Sequence, residues 1–375
     1  MRLTKTLLFL LILWPGSARG ERIFRFDVPI ASDLLISFQA RSKSGTWRDG
    51  TAPVLTIASG SSRQNIVLIH APEWFEYSCF IPATDGSVQV AADTDFELKE
   101  FRDQPSAGEV LRYAPILVSR NEPGISQNDL PLIVYCEVAQ KPKRLAYTWI
   151  FSNEDAGTDT EALFARWGRA TDIELVYVRE WSADGFVRET IQTYDHKIVP
   201  FAGKKEGDHP VIYVATKNNV FDSEGSGPLR FNIPPHAYNS FERTRESVMD
   251  EYPWTYRVMA EELVREKKLF DPRQFVYVDF KAEVAKGASV YAGLRFQSGE
   301  ETTSDRGNPK NRVSRSAWIR IAIPIPSQAD ASHIDSVFFA CDRPDACKVT
   351  AISQTELLDA SYRPVKIPVG YLFRY

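Results

Sequence analysis

Carboxylates crowd two stretches of this chain closely enough to act together. One is Asn153-Glu154-Asp155, just after the apolar run Tyr147-Thr148-Trp149-Ile150-Phe151. The other is Asp172-Ile173-Glu174, opened by Gly168-Arg169-Ala170-Thr171. In an extended strand, residues two apart share a face, so Asp172 and Glu174 direct both carboxylates to one side while Ile173 faces the core. Groups this close repel one another unless a cation or a shared proton joins them. With backbone carbonyls and water they suit Ca²⁺ or Mg²⁺ better than a transition metal. Asp172 with Glu174, or with Glu154, also meets the minimum for glycoside hydrolysis, which needs two carboxylates a set distance apart. His196, after Asp195, and His209, after Asp208, are the histidines that could serve beside them as general acid or base. For a hydrolase, Glu174, Asp172 and His196 are therefore the candidate catalytic residues. A third reading needs no ligand: the acids pair with Arg166, Arg169 or Arg179.

Other chemistries lack their residues. There is no Gly-x-Ser-x-Gly elbow for a serine nucleophile, and no Cys-x-x-Cys or Cys/His cluster for a thiolate metal site. Of the four cysteines, Cys341 and Cys347 bracket the turn-forming Asp342-Arg343-Pro344-Asp345-Ala346, so a local bridge is expected there. Cys79 and Cys136 sit in strand-like runs, and the sequence leaves open whether they pair or stay as buried thiols. The chain carries 45 basic and 49 acidic residues, with no concentrated basic run, which argues against nucleic acid as a partner.

Residues 1–20 read as a cleavable signal peptide. Arg2 and Lys5 supply charge, Leu7 to Trp14 form a short apolar core, and Pro15-Gly16-Ser17-Ala18-Arg19-Gly20 ends in a small-x-small site. The mature chain then begins near Glu21, in the periplasm or the medium. Losing Arg2, Lys5 and Arg19 leaves it mildly acidic, at 42 basic against 49 acidic residues. No later segment reaches the roughly 20 apolar residues of a spanning helix, and no Cys near the cleavage point offers a lipid anchor.

The elements that must position these groups are mostly strands. Short apolar runs with period-two alternation, separated by Gly, Pro, Asp and Ser clusters, predict a mainly β fold of two or three β-sandwich or jelly-roll-like blocks. The first block, 21–104, holds at least six strands, and a boundary is expected near Gln104-Pro105-Ser106-Ala107-Gly108. The second, 105–235, is a central sandwich with the acidic loop and a short helix over Thr160 to Trp167, capped by Thr158 or Asp159. The third, 236–375, opens with one helical segment near 241–268, where Pro253 starts a run with Tyr256, Met259, Leu263 and Lys267 at three-to-four spacing. Strands then return, and Gly370-Tyr371-Leu372-Phe373-Arg374-Tyr375 is expected as a final edge strand.

Two resemblances add to this reading. The Tyr147 to Phe151 run, the acidic loop and Gly168-x-x-x-Asp172-x-Glu174 together resemble the necrosis-inducing protein family, secreted β-sandwich proteins. The same region is similar to a related uncharacterised family named after a vacuolar protein-sorting protein, to which Pro210-Val211-Ile212-Tyr213-Val214-Ala215 also corresponds. The first resemblance implies that Asp172, Glu174 and either Glu154 or Asp155 hold a divalent cation used at a membrane glycolipid. Arg169 and Thr171 stand where that family has histidines, and Ile173 where it has tryptophan, which speaks against membrane damage. The first block, from Leu35-Ile36-Ser37-Phe38-Gln39-Ala40-Arg41 through Trp47 and Trp74-Phe75-Glu76-Tyr77-Ser78 to Val90-Ala91-Ala92-Asp93-Thr94-Asp95, resembles calcium-dependent carbohydrate-binding jelly rolls. That resemblance implies Asp93 and Asp95 as ion ligands, with Trp47 and Trp74 as sugar-stacking surfaces.

The sequence thus points first to an exported, non-catalytic protein binding an extracellular glycan or glycolipid surface through a divalent cation. The alternatives are a metal-dependent hydrolase of a glycan or phosphoester, and a structural envelope protein without a ligand site.

Overall fold

Along Leu34–Arg41 buried and half-exposed residues alternate without a break, as a strand with one face on a core requires. Val54–Ser59 and Ser87–Ala92 repeat the alternation. The computed structural model describes residues 22–121, 130–154, 158–240, 242–265, 271–327, 329 and 331–374. The fold is mainly β, built from several separate sheets with few helices. Residues 1–20, read as the signal peptide, lie outside the described residues. Two compact units emerge. The first gathers the described parts of Met1–Ser126, Tyr177–Ala215 and Phe221–His236, and the second those of Gln127–Val176, Thr216–Val220 and Ala237–Tyr375. The middle stretch 105–235 contributes to both.

The first unit opens with a sandwich of two antiparallel sheets. One has the order Arg22–Asp27, Ser87–Ala92, Val54–Ser59, Ser62–Val67; the other has Phe75–Ile81, Leu34–Arg41, Glu97–Pro105. Ile36, Phe38, Leu55, Ile57, Val88, Val90 and Phe96 are buried in its core. Glu97–Pro105 is a strand the apolar pattern did not predict. Its residues are largely charged because both faces of its far half meet solvent, and a bulge opposite Ser37 to Gln39 breaks its alternation. A further sheet places His209–Val214 parallel to Ile116–Val118, which pairs in turn with Arg230–Phe231. Phe80 ties it to the sandwich, donating its backbone N–H to the Asn232 carbonyl at 2.9 Å while the Asn232 amide donates back at 3.1 Å.

In the second unit, Pro131–Gln140 and Lys143–Phe151 form an antiparallel hairpin that buries Tyr135, Tyr147 and Trp149. The helix Thr160–Trp167 is capped as expected, the Asp159 carboxylate accepting from the Ala162 N–H at 2.8 Å. Helical turns follow at Val248–Glu251 and Trp254–Arg265, with Tyr256 and Met259 buried; Phe241 and Lys267 lie outside the described residues. The remainder is a sandwich of two four-stranded sheets. One runs Ala317–Pro324, Phe275–Val284, Cys347–Leu358, Pro364–Lys366; the other runs Glu301–Thr303, Val290–Phe296, Ile334–Cys341, Gly370–Arg374. Val278, Phe280, Leu294, Ile321, Val337 and Phe339 fill it. The Cys341–Cys347 disulfide closes the turn between two of its strands, while Cys79 and Cys136 are buried free thiols, each pushed up to about 12 chiefly by burial. Among the described residues no helix is long and apolar enough to cross a membrane.

Candidate functional site

The outward residues of the three-stranded sheet in the first unit form a continuous polar face. Strand pairing sets Ser37 opposite Ser78 and Arg102, Gln39 opposite Glu76 and Lys99, and Arg41 opposite Glu97. Side chains cross-link it: Arg41 donates to Glu97 at 2.7 Å, Arg102 to Glu76 at 2.6 Å and Gln39 to Glu100 at 3.0 Å. The Arg41 bond holds the Glu97 carboxyl below the usual carboxylate range. Trp74, just before Phe75–Ile81, is partly exposed at the end of this face. The Arg41 guanidinium lies 4.6 Å and the Lys99 ammonium 4.4 Å from its ring centroid. Because these carboxylates have cations beside them, the face offers donors and acceptors without a strong net field. That chemistry fits a hydroxyl-rich neutral ligand better than a polyanion.

The other residues implied for sugar binding lie elsewhere in the unit. Trp47 is only 1% exposed, so its indole belongs to the core and presents no face to a ligand. Asp93 and Asp95 are exposed. The Asp95 carboxylate pairs with Arg22 at 2.7 Å, and its backbone carbonyl accepts from the Ser42 hydroxyl at 2.6 Å.

The acid-bearing segment Gly168 to Glu174 lies in the second unit, and each residue has a physical task there. Gly168 ends the helix in the left-handed region, at φ 63°, where an added Cβ would come within 2.6 Å of the Arg320 Cγ. Arg169 is buried, ion-paired with Glu246 at 3.2 Å, and also donates to the Thr171 carbonyl. The Ala170 N–H reaches the Met259 sulfur at 3.1 Å and the Thr171 hydroxyl the Met249 sulfur at 3.4 Å, which fastens the segment to the helical turns. Asp172 accepts a 3.1 Å hydrogen bond from the Asn219 amide. Burial, then repulsion from Glu174, pushes its carboxyl up to about 7, against the pull of Arg169. Glu154 meets this strand through its backbone N–H, which donates to the Ala170 carbonyl at 2.8 Å. Asp155 lies outside the described residues. Among the described residues no group of three or more His, Cys, Asp or Glu side chains converges as metal ligands would. What Asp172 can do as it stands is take up or release a proton near neutral pH.

Both candidate histidines fall in the first unit. His196 is exposed in the tight turn after Val187–Thr193, where Asp195 and His196 adopt positive φ. His209 is buried between the Asp33 carboxylate and the Ala114 carbonyl, each 2.8 Å from a ring nitrogen, and it stacks on Phe80. It therefore works as a rivet between chain segments.

Sequence reasoning did not single out Arg320, a heavily bonded buried side chain in the second unit. It donates to Asp279 at 2.6 and 2.9 Å, to Asp250 at 2.8 and 2.5 Å and to the Tyr256 hydroxyl at 2.6 Å. A lone charge inside the apolar run Ala317 to Ile325 was the available signal. For the sheet face, the signal was the polar half of the alternation in Leu34–Arg41.

No protein-family model matches the chain, and no curated protein matches it in sequence. Among solved structures it is similar to the EclA C-terminal domain, described as a sugar-binding protein, at 16% identity over 24% of this chain and 83% of that one, with a TM-score of 0.16. At that score the likeness says nothing of what this chain binds.

Proposed function

We propose that this is an exported, non-catalytic protein that binds an extracellular glycan, or the sugar headgroup of a glycolipid, on the three-stranded sheet face of its first unit. The observation that carries the reading is the charge-balanced face of Gln39, Arg41, Glu76, Glu97, Lys99, Glu100 and Arg102 ending at the partly exposed Trp74. Sugar hydroxyls would bond to its amide, guanidinium and carboxylate groups, and a pyranose ring would rest on the indole. Lys99, on a flexible stem, is the side chain such a ring would displace. The export part of the proposal rests on the leader-like residues 1–20, and the Cys341–Cys347 disulfide is compatible with an oxidising compartment. The same proposal takes Ca²⁺ or Mg²⁺ at Glu154, Asp155, Asp172 and Glu174, since a cation would relieve the repulsion between the last two.

Calorimetric titration of the mature chain with a panel of neutral oligosaccharides tests this reading. Trp74→Ala should weaken binding by about tenfold or more, the scale of one lost stacking contact. A panel without a single binder, or a Trp74→Ala chain that binds like the parent, would refute it. Calcium and magnesium titrations of the parent and of Asp172→Ala test the cation component. The raised Asp172 carboxyl beside Glu174 favours a second reading, hydrolysis of a glycan or phosphoester. Turnover on such substrates that is lost in Glu174→Ala would select it.

A further inference from the structure

Two guanidiniums in the second unit sit against one indole, and among the described residues neither is ion-paired with a carboxylate. The helix Thr160–Trp167 ends in Arg166 and Trp167, and Arg315 lies just before the strand Ala317–Pro324. The Arg315 side chain donates to the Arg166 backbone carbonyl at 3.0 Å. Its guanidinium lies 5.4 Å from the Trp167 ring centroid, and that of Arg166 lies 5.7 Å away. Arg166 also donates to the Lys310 backbone carbonyl. Among the described residues every hydrogen-bond acceptor of these two side chains is thus a backbone carbonyl, and the Arg166 Nε is buried without any acceptor. Neutral carbonyls satisfy N–H groups but leave the charges unbalanced.

The carboxylates on neighbouring elements are already engaged. Glu161, on the same helix, pairs with Arg306 at 3.1 Å; Asp305 pairs with Arg312 at 2.6 Å. Glu246 pairs with Arg169, and Arg245 and Arg320 share its field. Burial works against ionisation of Glu246, yet those three arginines hold its carboxyl below the usual range. Arg315 is depressed below an ordinary arginine, first by burial and then, against Glu246, by the charges of Arg169, Arg245 and Arg166. The helix C-terminus favours cations but supplies only a partial negative charge. Arg166, Trp167 and Arg315 are all partly exposed and Lys310 is exposed, so solvent reaches the group.

We propose that Arg166 and Arg315, flanking Trp167, form a binding site for one oxyanion group, a phosphate, sulfate or carboxylate, with Lys310 at its rim. The incoming anion supplies the charge that both guanidiniums lack and accepts from their solvent-facing N–H groups, while the body of its bearer packs on the indole edge. The site is on the second unit and does not depend on the glycan reading of the first.

The test titrates the full mature chain at physiological ionic strength with inorganic phosphate, sulfate and glucuronic acid, and in a separate arm with phosphatidylglycerol vesicles. Binding is followed by calorimetry and tryptophan fluorescence. At least one probe should bind, with affinity reduced about tenfold or more in both Arg166→Gln and Arg315→Gln, and with the fluorescence response lost in Trp167→Phe. Preference for glucuronic acid assigns the source to an acidic sugar, for phosphate or sulfate to a free anion, and for vesicles to a lipid headgroup. If Arg315→Gln does not fold by circular dichroism, Arg166→Gln alone decides. No binding in any arm, or binding of equal strength in the folded arginine variants, would overturn the proposal.

Discussion

Remove the Arg320 guanidinium and two carboxylates, the buried Asp279 and the partly buried Asp250, lose the cation that joins them. Arg320→Met should therefore cost about 3–5 kcal/mol in urea unfolding, the range for breaking a buried pair from one side. Arg320→Lys should recover only part of it, because one ammonium cannot bridge two carboxylates as a planar fork does. Glu356 borders the same cluster. Burial first, then repulsion from Asp250, pushes its carboxyl up to about 7, with Arg320 opposing; the ordinary value is 4.5. The folded chain thus keeps a proton that the unfolded chain releases. Its stabilising effect is full below about 4.5, declines as pH rises and is gone above about 7. Glu356→Gln should flatten the stability profile across that window, removing a slope worth on the order of 2 kcal/mol. Thermal melts at pH 5 and pH 8 check this: an unchanged difference between parent and variant would count against it. At this scale the sequence was only partly legible. The i, i+2 spacing of Asp172 and Glu174 brings them close enough to interact, but nothing in the string told that Asn219 would donate to Asp172.

Elements were easier to read than contacts. Thr160 to Trp167 could be bounded at both ends because each end carries its own chemistry, an Asp that accepts a helix N–H and a Gly that adopts positive φ. Gly168→Ala should lower stability by about 1–3 kcal/mol, since the left-handed backbone penalises a side chain and the new Cβ meets the Arg320 stem. Differential scanning calorimetry would measure it. A neutral result would mean that the Arg320 chain moves aside freely. Glu97–Pro105 shows the opposite case. Its charges face solvent or cross-strand partners, so an apolar-periodicity argument passes over a strand that half of the proposed glycan face depends on.

At the scale of the whole molecule, each compact unit draws on segments far apart in the chain. The second unit draws its hairpin from Pro131–Gln140 and Lys143–Phe151 and its helix from Thr160–Trp167, far upstream of its sandwich. Phe164 of that helix packs 4.6 Å from Phe275 of the sandwich. A fragment limited to 237–375 should therefore expose this seam and melt well below the full chain. Circular dichroism of the fragment checks it, and a melt equal to that of the full chain would show that the upstream pieces are dispensable. By itself the sequence determined what depends on neighbours a few residues away. Alternation pointed to the mainly β class, the polar residues before Thr160 narrowed the helix cap to Thr158 or Asp159, and a short turn brought Cys341 within bridging distance of Cys347. Only the tertiary structure decided which polar residues meet. It buried Trp47 and left Trp74 partly open at the polar face, riveted His209 to Asp33, and gathered Arg166 and Arg315 around one indole. Burial and long-range pairing are properties of the packed chain, and residue types in order carry no distance between segments a hundred positions apart.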